Sequence, residues 1–226
     1  MSLELKDVRF AYRDRLILDG ISLSIEQGET VVVLGGNGSG KSTLLHVAAG
    51  LITPQSGSVV VNGSRPEDTG YAGIVFQNPD TQMLAPTVEE EIALGLELRG
   101  RPPSEIRRRV DDVIEQFQLQ ELLHRAPETL SGGQKQRVAL ASVMVFEPNY
   151  LLLDEPVSLL DARSRRGFLE ALERVRGQCG MLWTVADPTE LPVADRYCVL
   201  DGGRLTSASA ASLREKNEGE AARVRA

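Results

Sequence analysis

The sequence predicts an α/β fold built on a mostly parallel sheet, with a helical insertion between residues 77 and 146. Three observations predict it. Short apolar runs of strand length alternate with stretches of helical periodicity, the pattern of parallel strands joined by helical crossovers. A glycine-rich segment, Gly35 to Gly40, stands directly between one such run and a helical stretch. Residues 77–146 differ in texture from what flanks them and carry apolar residues at helical spacing.

Taken in order, Leu3–Leu5, Val8–Phe10 and Ile21–Ile25 alternate apolar and polar positions and read as strands, punctuated by Gly20 and Gly28. Thr30–Leu34 is a continuous β-branched run, as in a strand buried on both faces. Ser42–Leu51 reads as a helix. Ser58–Val61, closed by Asn62-Gly63, reads as one arm of a hairpin, and Gly73–Phe76 as a short buried strand. Pro102-Pro103 lead into Ser104, the expected N-cap of a helix whose apolar face is Ile106, Val110, Val113, Ile114 and Phe117. Arg107-Arg108-Arg109 then falls on its solvated face. A further helix runs from Gly133 to Phe146. Tyr150–Leu153 is a buried strand, Phe168–Val175 a helix, Met181–Val185 and Arg196–Leu200 strands. The segment after Ser207 is polar and reads as a loose helix or frayed end.

Composition sets the outer limits. The chain has 226 residues, 42% hydrophobic and 25% charged, which excludes wholesale disorder. A net charge of −7 argues against non-specific hold on nucleic acid or anionic lipid. Cys179 and Cys198 are too few for a disulfide framework or a four-ligand zinc site and read as core filler in a reducing compartment. The opening MSLELKDVRF has no signal-peptide core, and no apolar run is long enough to cross a bilayer. A cytosolic chain is expected, or one that sits on a membrane by holding a protein that spans it.

Gly35-Gly36-Asn37-Gly38-Ser39-Gly40-Lys41-Ser42 fits G-x-x-x-x-G-K-[ST]. Its glycines let successive N–H groups curl inward toward phosphate oxygens, and the following helix aims its positive end at the same place. Lys41 would contact the β- and γ-phosphates, and the Ser42 hydroxyl would ligate Mg²⁺ with Thr43 nearby. The motif alone does not choose among kinases, GTPases and ATPases. Tyr150–Leu153 ends in Asp154-Glu155. Taken alone, two acids at a strand end also suit a solvated edge. Beside a phosphate loop, Asp154 would hold Mg²⁺ through water and Glu155 would polarise the attacking water as general base.

Leu130-Ser131-Gly132-Gly133-Gln134 opens the Gly133 helix. Here the sequence resembles the ATP-binding cassette (ABC) ATPases, whose signature is LSGGQ. The resemblance covers residues 1 to 205. It implies a P-loop NTPase (RecA-like) core with an N-terminal antiparallel β subdomain and an inserted α-helical subdomain. The corresponding division is 1–76 and 147–205 for the core, 77–146 for the helical part and 206–226 for a tail. It implies ATP and Mg²⁺ as ligands, held by Gly35, Asn37, Gly38, Ser39, Gly40, Lys41, Ser42 and Thr43. Tyr12, in Phe10-Ala11-Tyr12, would stack on adenine, although a strand-end tyrosine is also ordinary core. Gln77 would reach Mg²⁺ and the attacking water and sense a transmembrane partner. Ser131, Gly132, Gly133 and Gln134 would serve the ATP of a second ATPase subunit in a head-to-tail dimer. Asp161, after Ser158-Leu159-Leu160, would cross that interface.

Phe76-Gln77-Asn78-Pro79-Asp80-Thr81-Gln82 and Ala85-Pro86-Thr87-Val88-Glu89-Glu90-Glu91 are more narrowly similar to the ATPases of energy-coupling-factor importers of metal ions and vitamins. That similarity implies an integral membrane coupling protein as partner and the cytoplasmic face of the cell membrane as location. Set against that group the sequence reads as short, and the group's usual C-terminal extension is not expected in it. One departure is clear. In Trp183-Thr184-Val185-Ala186-Asp187, Ala186 stands where the family places a histidine, and neither His46 nor His124 can replace it in sequence. Four readings stay open: a working importer ATPase, a slow site that completes a partner's, an exporter ATPase, or a soluble ABC ATPase. Against the last, about 90 residues separate Lys41 from Ser131 with no sustained heptads.

Overall fold

The computed structural model describes residues 1–66 and 72–213, in two compact units. The first comprises Met1–Ile74, Asn149–Ser158 and Gly177 onward, and the second Val75–Pro148 and Leu159–Arg176.

The first unit contains two sheets. Strands β1 (Ser2–Tyr12), β2 (Arg15–Glu26) and β4 (Ser56–Val61) form an antiparallel sheet in the order β2-β1-β4. The two segments expected at 3–5 and 8–10 are one strand. Their inward residues Leu3, Leu5, Val8 and Phe10 slip phase by one between Leu5 and Val8. A bulge absorbs the slip there, with Asp7 at φ 47° and its N–H donated to Ser22 Oγ at 3.0 Å. The extra residue returns Val8 to the core face, which a regular strand would have turned to solvent.

The second sheet has the order β5-β6-β7-β3-β8-β9: β5 (Ala72–Val75), β6 (Tyr150–Asp154), β7 (Gly180–Val185), β3 (Thr30–Leu34), β8 (Arg196–Asp201) and β9 (Arg204–Ala208). Strands β6, β7, β3 and β8 are parallel, and β6 and β7 are buried along their whole length, which accounts for their apolar sequences, Asp154 and Thr184 apart. Alternate residues Val31, Val33, Tyr150, Leu152 and Leu182 join the inner face of the antiparallel sheet and helix α1 (Lys41–Ala48) in one core. Helix α1 stops short of the expected Leu51 because Gly50, at φ 74°, ends it. The unanticipated β9 hairpins onto β8 through Gly202-Gly203, both at positive φ. It runs one residue into the tail expected after Ser207, and residues 210–213 are helical. Residues beyond 213 lie outside the described residues.

The second unit is helical: α2 (Val88–Leu98), α3 (Pro103–Phe117), α4 (Gly132–Met144) and α5 (Ala162–Glu173). Helix α2 was not anticipated, yet its start is written as Thr87-x-x-Glu90. Thr87 Oγ1 accepts the Glu90 N–H, and three glutamates sit in the first turn, where the helix dipole favours them. Helix α3 begins one residue before the expected cap, with Pro103 at its first position and Ser104 inside it. Arg109 is not on a solvated face. Its guanidinium lies 3.0 Å from Glu105 and 3.2 Å from Glu147, and donates to the Val145 carbonyl. Trp183, Cys179 and Cys198 are buried as expected, and His124 is exposed.

Two predictions follow from packing. A Cβ at Gly95 would lie 2.3 Å from Cζ of Phe146, whose ring also carries the Arg99 guanidinium at 4.3 Å. Gly95→Ala therefore destabilises the protein by about 1–3 kcal/mol in urea unfolding, despite a gain of roughly 1 kcal/mol in helix propensity. Burial pushes the Cys179 thiol up to about 11 and raises Cys198 as well. An aromatic disulfide reagent at pH 8 should titrate neither thiol in the folded protein and both after denaturation.

Candidate functional site

The loop from Gly35 to Gly40 joins β3 to α1. Gly35 is held by its N–H to the Val185 carbonyl at 3.1 Å, and a side chain there would strike Ser39 Oγ at 2.5 Å and the Leu200 carbonyl at 2.7 Å. Gly40 takes φ 105°, a left-handed conformation that turns the chain into α1. Gly36, Asn37 and Gly38 are exposed, and the space beside Gly36 and Gly38 is open. Helix α1 has neither a side-chain cap nor an acidic residue in its first turn. Its positive end therefore has no side-chain partner of its own in the first turn. Ser39 Oγ is buried with no hydrogen-bond partner among the described residues. A cup of this kind is completed by an anion.

Lys41 is only 4% exposed. Its ammonium donates to the carbonyls of Gly35 (2.6 Å) and Gly36 (2.9 Å) and lies 3.0 Å from Glu155 Oε1. Topology explains the meeting. Strands β6 and β3 run parallel on either side of β7, so the acids ending β6 and the loop leaving β3 share one edge of the sheet. Asp154 is buried and accepts a hydrogen bond from Thr184 Oγ1 at 2.9 Å. Glu155 sits at φ 43°, and its N–H donates to the same hydroxyl at 3.2 Å. Ser42 is exposed and Thr43 buried in the first turn of α1. Ala186 follows β7 at this same edge. Tyr12, half exposed at the end of β1, meets Phe10 edge to face at 4.9 Å between ring centroids.

The remaining sequence-derived positions belong to the second unit. Gln77 is exposed, directly after Phe76, whose carbonyl accepts the buried Gln136 Nε2 at 3.1 Å. Ser131 caps α4. Its hydroxyl accepts the Gln134 N–H, and Gln134 Oε1 in turn accepts the Ser131 N–H at 2.9 Å. The Gln134 side chain thus holds its own loop, leaving Ser131 and Gly132 exposed, while Gly133 has no room for a side chain against Ser164. Asp161 caps α5 through the Arg163 and Ser164 amides. These bonds, the Ser164 amide first, hold its carboxyl below the ordinary carboxylate range. The structure thus brings Lys41, Asp154 and Glu155 together in the first unit, and sets Gln77, the 131–134 loop and Asp161 in the second.

Sequence reasoning missed Thr184 as a site residue. The available signal was a lone hydroxyl in a strand otherwise buried and apolar, since such a group must find partners.

Comparison with known proteins bears on the whole arrangement. The family model for ABC transporters matches residues 18–158. The energy-coupling factor transporter ATP-binding protein EcfA1 of Bacillus subtilis (strain 168) is 40% identical over 214 residues, covering 89% of this chain and 76% of the relative. Its counterpart in Streptococcus pyogenes serotype M12 is 38% identical over 218 residues, covering 92% and 78%. Among solved structures, cbiO1 from Clostridium perfringens, described as part of the ABC transporter complex cbiONQ, superposes with a TM-score of 0.84 at 30% identity, covering 99% of this chain and 94% of that one. The likeness therefore runs through the entire fold rather than through one phosphate-binding motif, and the chain belongs to the ABC transporter family as an ATP-binding protein.

Proposed function

We propose that this chain is the ATP-hydrolysing subunit of an energy-coupling-factor importer of a metal ion or vitamin, acting as half of a head-to-tail ATPase dimer beneath a membrane-embedded coupling protein. The observation that carries the chemistry is the buried Lys41 ammonium, set at an uncapped helix N-terminus and facing Glu155 at 3.0 Å. Among the described residues no helix is long and apolar enough to cross a membrane, so in this reading the chain reaches the membrane through a partner.

The residues fit a magnesium–triphosphate. The Ser39 hydroxyl has no partner among the described residues, the cradle beside Gly36 and Gly38 is open, and the Glu155 carboxylate stands next to the buried Lys41 ammonium. Ser42, Asp154 and Gln77 would hold the ion, which when bound neutralises charge developing on the phosphates. Lys41 exchanges the Gly35 and Gly36 carbonyls for phosphate oxygens, and the loop amides with Thr43 fix the chain's register on the phosphates. Glu155 gives up its Lys41 contact in the same step and orients water for in-line attack on the γ-phosphorus. Tyr12 offers its exposed ring to adenine. Ser131, Gly132 and Gly133 serve the nucleotide of the second subunit, with Gln134 bracing them and Asp161 at the interface.

Ala186 removes one polar group from this design. By analogy with deletion of a preorganised donor, the loss is about 2–4 kcal/mol at the transition state, or roughly 10²–10³ in rate. The purified chain should therefore turn ATP over slowly, and Ala186→His should raise kcat at least about tenfold. Wild-type turnover at ordinary transporter speed, unmoved by the substitution, contradicts this. The functional reading itself is tested by calorimetry. Adenine nucleotide with magnesium should release heat, and Lys41→Ala should weaken binding about 10- to 100-fold by removing charge-assisted bonds. Absence of heat from the wild type would refute the reading.

A further inference from the structure

Thr184 is fully buried at the middle of the sheet. Strand register pairs it with Asp154 of β6 on one side and with Val33 of β3 on the other, one residue before the last of the strand that feeds the phosphate loop. A hydroxyl has one proton to donate and lone pairs to accept with. Its neighbours are Asp154 Oδ1 at 2.9 Å, the Leu153 carbonyl at 3.3 Å and the Glu155 N–H at 3.2 Å. The proton goes to the carboxylate, which is nearer and charged. The oxygen then accepts the Glu155 amide.

Two features make this bond more than core satisfaction. The Asp154 carboxylate accepts no other hydrogen bond among the described residues, so Thr184 is the one polar group seen to hold it there, and Oδ2 is left for another partner. Glu155 occupies a left-handed backbone conformation, which needs support for a residue with a Cβ. Its amide is tied to the same hydroxyl. One hydroxyl therefore holds both the Asp154 carboxylate and the Glu155 peptide.

We propose that Thr184 is a positioning residue for ATP hydrolysis, its hydroxyl holding the Asp154 carboxylate and the Glu155 peptide in the orientations that magnesium–nucleotide binding requires. The proposal rests on the function proposed above. It assigns to a strand interior the task that outer-layer hydrogen bonds perform around metal-binding carboxylates, where their loss typically weakens metal affinity about 10- to 100-fold.

The test uses calorimetry on the full chain with a non-hydrolysable ATP analogue, in chelator and across a magnesium titration. Thr184→Val removes the hydroxyl and keeps the β-branched shape. Thr184→Ser keeps the hydroxyl and drops the methyl. In chelator all three proteins should bind the analogue within about twofold of one another. With magnesium, the valine variant should lose about tenfold or more of the gain in affinity that wild type shows, and the serine variant should retain it. A valine variant with the full magnesium gain overturns the proposal, as does a serine variant as impaired as valine. If valine does not fold, as judged by circular dichroism, Thr184→Ala against Thr184→Ser isolates the hydroxyl, because both lack the methyl. Equal magnesium responses in that pair overturn the proposal, and a deficit confined to alanine supports it. Failure of the wild type to bind the analogue under either condition instead removes the functional reading and this role with it.

Discussion

The Lys41 ammonium is the charge around which the first unit is arranged. A lysine at 4% exposure must be paired and hydrogen-bonded or it does not stay charged. The fold meets that demand with two loop carbonyls and the Glu155 carboxylate. Each partner constrains something else. Carbonyls turned toward Nζ require the tight loop that Gly35 and Gly40 make possible. A carboxylate at 3.0 Å requires β6 and β3 to run parallel and end at the same edge, with β7 between them. The parallel sheet thus brings a cation and two acids from distant parts of the chain to one place.

In the second unit, the loop that follows β5 and the helix that begins at the signature form one bonded assembly. Lys135 Nζ lies 2.6 Å from Asp80, and the buried Gln136 donates to the Phe76 carbonyl. Further along the same loop, the buried Glu91 carboxylate accepts the N–H groups of Leu84 and Ala85 at 2.7 and 2.8 Å. Residues on either side of Gln77 are thereby fixed to α4 and α2. In the function proposed above, displacing this loop would displace the start of α4 with it, as suits a part that reports a partner's position.

What could be read from the sequence followed periodicity and glycine placement. The buried strands announced themselves as largely apolar runs at 30–34, 150–153 and 181–185, and the phosphate loop by its spacing. The antiparallel strands were legible in part: the first half of β2, 15–20, was missed, and the bulge of β1 was hidden because a one-residue slip looks like a gap between two strands. Strand β9 was hidden because its outward face is polar and only Leu205 packs against the core, although Gly202-Gly203 marked its turn. Arg109 was misread because charge alone does not say whether a helix face is covered, and its partner Glu147 lies far along the chain. Thr184 carries no motif. Its importance comes from register across three strands, which no local window contains.

The two helices that meet phosphate in the proposed dimer differ in how their N-termini are satisfied, and the difference implies an order of events. Helix α1 has no cap and no acid in its first turn, so its amides are unmet until an anion arrives. Helix α4 is closed by the reciprocal Ser131–Gln134 capping box, which already satisfies part of its first turn. Anion binding at α1 therefore starts from a larger deficit and also recruits the Lys41 charge. Binding at α4 adds only the donors that its box leaves unused. Nucleotide should accordingly settle on the phosphate loop of one subunit first and draw in the signature helix of the other afterward. Closure is then a population shift driven by the additional contacts, not a precondition for binding.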